Sequence, residues 1–196
     1  MVEIPAVDRV TKRKHGSRGG GRPPLRGVGE RLVFKAVDIA WFLGYYVSEG
    51  NPDRAGVQLA QSDGRYVEDI RNALSVFPSA WVKEKLCSKS PSDKVRWRKR
   101  YKWFVYHLGL AEWLRREVGE GAYHKRLPSA VFNWPRDAQY EFLIGLLNGD
   151  GHWVRSKTKT SALYVTRSEG LGPAKKQPEQ AVTQTEADPR RTRFTV

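Results

Sequence analysis

Two carboxylates, Glu49 and Asp150, each stand directly before a glycine at the end of a strongly apolar stretch. The two stretches, Trp41-Phe42-Leu43-Gly44-Tyr45-Tyr46-Val47-Ser48-Glu49-Gly50 and Phe142-Leu143-Ile144-Gly145-Leu146-Leu147-Asn148-Gly149-Asp150-Gly151, superpose without a gap. Each therefore repeats a small residue in mid-helix (Gly44, Gly145) and an acid at the helix end. Glycine lets two helix backbones approach closely, which makes Gly44 and Gly145 the expected helix interface. If the copies pack in parallel, their terminal acids meet at one end of the seam. There the helix C-termini already carry partial negative charge, so the two carboxylates repel each other and need a cation. Oxygen donors of this kind suit Mg²⁺ with water and phosphate as further ligands. The chemistry available to such a site is metal-assisted phosphodiester hydrolysis. The simpler alternative is a pair of ordinary buried helices ending in Glu-Gly and Asp-Gly turns. Two copies in register in a strongly basic chain argue against it.

The elements needed to hold these acids are legible in outline. Asp38 is a fair N-cap for a helix over Ile39–Val47 that ends at Gly50. Gly56–Ala60 reads as a strand, and Ser62 or Asp63 can cap a helix carrying Val67, Ile70, Leu74 and Phe77 at helical spacing. Ala80–Leu86 and Val95–Tyr106 read as strands joined by a turn-rich segment, 88–93. Leu108–Val118 is helical, Lys125-Arg126-Leu127-Pro128 is a connector, and Asp137–Gly151 is the second apolar helix. Gln61-Ser62-Asp63-Gly64 also lies opposite Arg167-Ser168-Glu169-Gly170, which extends the repeat beyond the motifs.

Charge limits the partners. The 196 residues hold 35 Lys and Arg against 21 Asp and Glu, a formal net charge of +14. An excess of this size favours a polyanion, because each cation that meets a phosphate releases counterions. The alternative is a basic but inert or ribosome-bound surface. From Lys83 to Lys102 the basic residues Lys83, Lys85, Lys94, Arg96, Arg98, Arg100 and Lys102 dominate a predicted hairpin, with only Glu84 and Asp93 as acids. Strand periodicity puts Arg96, Arg98 and Arg100 on one face, where a two-stranded ribbon can enter a major groove. A solvated, charge-protected edge strand is the competing reading.

The single cysteine, Cys87, excludes a disulfide framework and a Cys-based zinc site within this chain. The four histidines show no ligand spacing, and no apolar run is long enough to span a bilayer. A soluble, cytoplasmic protein is expected.

With these residues in view, both apolar stretches resemble the LAGLIDADG dodecapeptide of homing endonucleases, in which the last acid before glycine binds metal. The resemblance runs from about Phe34 to Ser168. It implies an α+β fold of two αββαββα halves related by a pseudo-two-fold axis, their sheets forming a saddle over double-stranded DNA. It also implies that Glu49 and Asp150 are metal ligands for Mg²⁺. The stretch Lys125-Arg126-Leu127-Pro128-Ser129 resembles the connector of intein-type members, where a lysine before a Leu-Pro or Ile-Pro pair assists catalysis. Lys125 takes that role by resemblance; otherwise it is a solvated linker lysine. Gln61, just after the first motif, is a further catalytic-site residue supporting the acids.

The domain organisation that follows is a disordered basic arm at 1–31, an endonuclease domain at 32–168, and a disordered tail at 169–196. The first repeat covers about 34–122 and the second, partial one about 137–168. After Gly170 the prolines at 173 and 178 break any helix, so the second repeat reads as truncated, with weakened or lost cleavage. A monomer is expected, or a dimer if a partner completes the short half or if the Gly44 helix pairs with its copy. Self-splicing is not expected, because no Cys or Ser nucleophile follows Met1 and no terminal His-Asn pair is present. The other function that the same fold could serve is non-catalytic DNA or RNA binding, as a regulator or maturase. That role has no need of paired acids.

Overall fold

Apolar side chains run through the first motif on most sides, and the segment folds as a largely buried helix. In the computed structural model of the chain, helix α1 spans Ala36–Glu49, with Ile39, Ala40, Phe42, Leu43, Tyr45, Tyr46 and Val47 all buried. The structure describes residues 1–7, 27–61, 66–87, 100–155, 160–165 and 191–195. Asp38 lies inside the first turn of α1, not at its cap as expected. An acid there still opposes the positive end of the helix dipole favourably.

The remaining elements follow in the order β3 (Asn51–Pro52), β4 (Val57–Gln61), α2 (Val67–Leu74), β5 (Val82–Cys87), β6 (Arg100–Val105) and α3 (Leu108–Glu117). With α1 in front, this is the αββαββα order expected of one repeat. The second repeat opens with α4 (Arg136–Asp150), β7 (Gly151–Arg155) and β8 (Thr160–Val165). A 3-10 turn over Ser129–Asn133, between the expected connector and the second motif helix, precedes α4. Tyr66 stands at the N-cap position of α2 without a side-chain cap hydrogen bond; the expected caps Ser62 and Asp63 lie outside the described residues, as does 88–99 with Lys94, Arg96 and Arg98.

Two compact units divide the chain. The first holds an antiparallel sheet in the order β3-β4-β6-β5. Alternation along its strands sends Val57, Leu59, Trp103 and Val105 into the core. Glu84, on that same face of β5, is fixed by Arg71 and by Trp103 Nε1, which donates to it over 2.9 Å. His107 is buried and caps α3, its Nδ1 accepting from the Leu110 amide at 3.0 Å.

Two expectations of disorder are corrected. Val2–Ile4 form strand β1, antiparallel to β2 (Leu32–Phe34), with Val2 and Ile4 buried. Burial of two branched side chains outweighs the ordering entropy of so short a strand. The rest of the basic arm, 8–26, lies outside the described residues. At the other end, Arg191–Thr195 form β9, which pairs antiparallel with β8. In the order β7-β8-β9, this strand takes the place beside β8 that β6 takes beside β4 in the first sheet.

The second unit contains both motif helices. A Cβ on Gly44 would fall on the Phe142 carbonyl oxygen, and one on Gly145 would fall on the Trp41 carbonyl oxygen. The two contacts are the same contact seen from each helix, and further on Gly149 meets Ser48 and Glu49. Contacts that advance together along both sequences make α1 and α4 parallel. The Gly44 face is filled by α4 and is not open to a second copy of the chain. Replacing Gly44 or Gly145 with Ala should destabilise the protein by about 3 kcal/mol or more, since backbone must move to admit the methyl group. Urea denaturation of each variant measures this; a loss below about 1 kcal/mol would mean the seam is loose.

Candidate functional site at the paired helix ends

Parallel packing carries the ends of both motifs to one place. Glu49 closes α1, Asp150 closes α4, and their carboxyl groups are within hydrogen-bonding reach of each other. Glu49 is half-buried while Asp150 keeps access to solvent. Loss of water, then repulsion from Asp150 and a hydrogen bond to it, push the Glu49 carboxyl up to about 7, with Lys125 pulling the other way. Asp150 is also raised, by burial, against the lowering effects of the Glu49 hydrogen bond and Lys125. Without a cation the pair therefore shares a proton near neutrality, carried by Glu49 and donated to Asp150.

Lys125 completes the cluster. Far from being a solvated linker residue, it is 5% exposed. Its Nζ donates to the carbonyl oxygens of Ser48 (3.0 Å) and Tyr46 (3.3 Å), and lies 5.8 Å from the centre of the Tyr46 ring. The Ser48 carbonyl is one that a helix C-terminus leaves without an amide, and Tyr46 O also accepts from the Gly50 amide at 2.9 Å, so the ammonium caps α1 and opposes its dipole. Burial lowers the Lys125 pKa to about 8, with Asp150 and Glu49 acting to keep it charged. The connector that delivers it is held by Arg126, whose amide donates to the Val118 carbonyl at 2.7 Å.

The other expected residues belong to the first unit. Gln61 ends β4, opposite Tyr101 of β6. Lys83, Lys85, Arg100 and Lys102 fall on a single sheet face: Lys85 pairs directly with Lys102, Cys87 with Arg100, and Lys83 with Phe104. Gln58, Ala60 and Asn51 share that face through the β4 pairings. Among the described residues it carries no carboxylate, because Glu84 alternates to the opposite face, where it pairs with Arg71. Like charges directly across a strand pair are unfavourable, so Lys85 opposite Lys102 marks a surface that an anion would stabilise.

Sequence reasoning missed Ser48. It occupies the position in the first motif that Gly149 occupies in the second, and its hydroxyl donates to the Leu146 carbonyl of α4 at 2.9 Å. The available signal was a small residue at both equivalent positions.

No family model matches the chain. Its fold is nonetheless of the LAGLIDADG type: the homing endonuclease I-WcaI, solved with its DNA recognition sequence, superposes with a TM-score of 0.50 at 13% identity, over 72% of this chain and 63% of that one. The N-terminal LAGLIDADG domain of WhiA is a more distant likeness, with a TM-score of 0.42 at 12% identity over 67% of this chain and 57% of that domain. Among curated proteins, the chain is 27% identical to the ATP-dependent DNA helicase Hel308 of Thermococcus kodakarensis over 174 residues, 83% of this chain. It is 29% identical to the uncharacterized protein MJ1054 of Methanocaldococcus jannaschii over 129 residues, 60% of this chain. The replication factor C small subunit of the same organism is 29% identical over 142 residues, 65% of this chain. The chain spans only 14%, 13% and 8% of the lengths of these three relatives.

A carboxyl whose folded pKa exceeds its unfolded one stabilises the protein fully below the unfolded value and loses that contribution as pH rises through the folded value. The metal-free protein should therefore lose about 1–2 kcal/mol between about pH 4.5 and 7 from Glu49, allowing for partial solvent screening. Glu49→Gln should remove most of that loss. Denaturant titrations across this pH range would read a flat wild-type profile as evidence against the shared proton.

Proposed function

We propose that the chain binds double-stranded DNA and hydrolyses it at the Glu49–Asp150 site with a divalent cation. The observation that carries this reading is the convergence of two carboxylates and a buried lysine at the paired ends of α1 and α4. Two acids held above their usual pKa range by burial, and by mutual repulsion at Glu49, are a poor arrangement for stability alone. An all-oxygen, doubly anionic donor set fits Mg²⁺. When bound, Mg²⁺ would supply the charge that lowers the pKa of water and stabilises the leaving oxygen. Glu49 and Asp150 would hold it, releasing their shared proton as they do so. Lys125, anchored through Ser48 and Tyr46, would set a positive charge beside the acids where charge develops on the phosphate.

The substrate follows from charge and fold. The Lys83, Lys85, Arg100 and Lys102 face suits a phosphate backbone, with Gln58 and Asn51 beside it as side chains able to meet base edges. I-WcaI, with which this chain shares its fold, is described as bound to its DNA recognition sequence. The three curated relatives are consistent with an origin in a mobile element. A helicase, a replication factor subunit and a third long protein each share one short segment with this chain, as a mobile insert carried by unlike hosts would. An intein- or intron-derived homing endonuclease is the reading we favour. DNA binding without cleavage is the other outcome open to the same fold.

The test is Mg²⁺-dependent cleavage of a randomised duplex library by the wild type, Glu49→Gln and Asp150→Asn. Cutting by the wild type should fall at least about a hundredfold in each variant. Retention of library DNA by all three proteins with no cutting by any would remove the nuclease and leave a DNA-binding protein.

A further inference from the structure

The two motif copies are equivalent in sequence register but not in how their acids are held. One turn beyond the close approach at Gly44 and Gly145, Ser48 faces Gly149, its counterpart in the repeat. Only one of these positions can carry a side chain, since a Cβ on Gly149 would fall on the Ser48 side chain. The hydroxyl that fills the space crosses the seam to the Leu146 carbonyl oxygen at 2.9 Å and lies 3.3 Å from the Gly44 carbonyl of its own helix. In helix geometry, Leu146 O is the carbonyl to which the Asp150 amide returns. The mirror-image link, from position 149 to the Tyr45 carbonyl, has no hydroxyl to make it.

Resting on the metal-site reading above, we infer that Ser48 is the positioning residue for Asp150, and that the two acids are fixed by different devices. Glu49 is held through its own helix end, where Lys125 binds the Ser48 and Tyr46 carbonyls. Asp150 is held from across the seam, by the Ser48 hydroxyl on the carbonyl one turn before it. One residue thus ties the whole cluster together: its side chain reaches α4, its carbonyl takes the lysine, and its chain neighbour is Glu49. Loss of the hydroxyl leaves the helices packed but frees the last turn of α4, so the separation of the two carboxylates is no longer set.

The test uses Ca²⁺ as the probe and the full chain. Calorimetric titration should show Ser48→Ala weakening Ca²⁺ affinity about tenfold, the range seen when a group supporting a metal ligand is removed. The double variant Ser48→Gly/Gly149→Ser moves the hydroxyl to the other helix, where the pseudo-symmetry aims it at Tyr45 O, and should recover most of the affinity lost by Ser48→Gly alone. Amide exchange at Asp150 gives a second readout that needs no metal: it should quicken in Ser48→Ala while the amides of Gly145 and Leu146 stay protected. Ca²⁺ affinity and Asp150 exchange both unchanged in Ser48→Ala would overturn the inference. A wild type that binds no Ca²⁺ counts against the metal site alone, and Asp150 exchange then decides the role of Ser48.

Discussion

The close approach of two parallel helices at Gly44 and Gly145 is the constraint from which the rest of the site follows. Backbone carbonyls occupy the space a side chain would need, so the helices meet at their backbones and their axes cannot drift apart without opening a void. Parallel direction then forces both C-termini, with their partial negative charge, to the same end of the seam. A carboxylate on each terminus compounds that charge. The sequence places acids there in both copies, an arrangement that positive charge in reach would relieve.

Positive charge within the protein answers it in part. Lys125 is built in: it is drawn from the connector into the protein, satisfies carbonyls at the end of α1, and gives up part of its own basicity to burial. One lysine offsets one of two carboxylates, and the excess shows as a proton retained by Glu49 near neutrality. A divalent ion can displace that proton; a second lysine would neutralise the pair but leave nothing for water or phosphate to meet. The sheet of the first unit repeats the same logic in opposite sign, with Lys85 directly across from Lys102 and the one acid of β5 on the opposite face, paired with Arg71. Both surfaces carry an electrostatic deficit, and under the proposed function a nucleic acid and a divalent ion would supply the complements.

The motif helices, their register and the two acids were legible in the sequence because a gapless internal repeat needs no knowledge of packing. Period-two alternation likewise put Arg100 on one face of its strand, with Arg96 and Arg98 outside the described residues, although only the burial of Trp103 showed which face was inside. Lys125 could be picked out by resemblance alone. Its contacts lie 77 and 79 residues away along the chain, beyond any local pattern. Strands β1 and β9 were read as disorder because three and five residues in basic or polar surroundings carry too little periodicity to stand out, and each becomes a strand only through its partner's edge. Ser48 escaped notice for the opposite reason: a small polar residue in an apolar helix looks like a packing choice until the facing carbonyl is known.

The most direct measurement is the effect of Mg²⁺ on thermal unfolding of the wild type at about pH 8 and about pH 5, in the absence of DNA. A cation that relieves repulsion between two carboxylates should stabilise the protein at the higher pH, by about 2–3 kcal/mol near saturation, and far less at the lower pH where Glu49 holds its proton. Stabilisation that is equal at both pH values, or absent at both, would contradict the account.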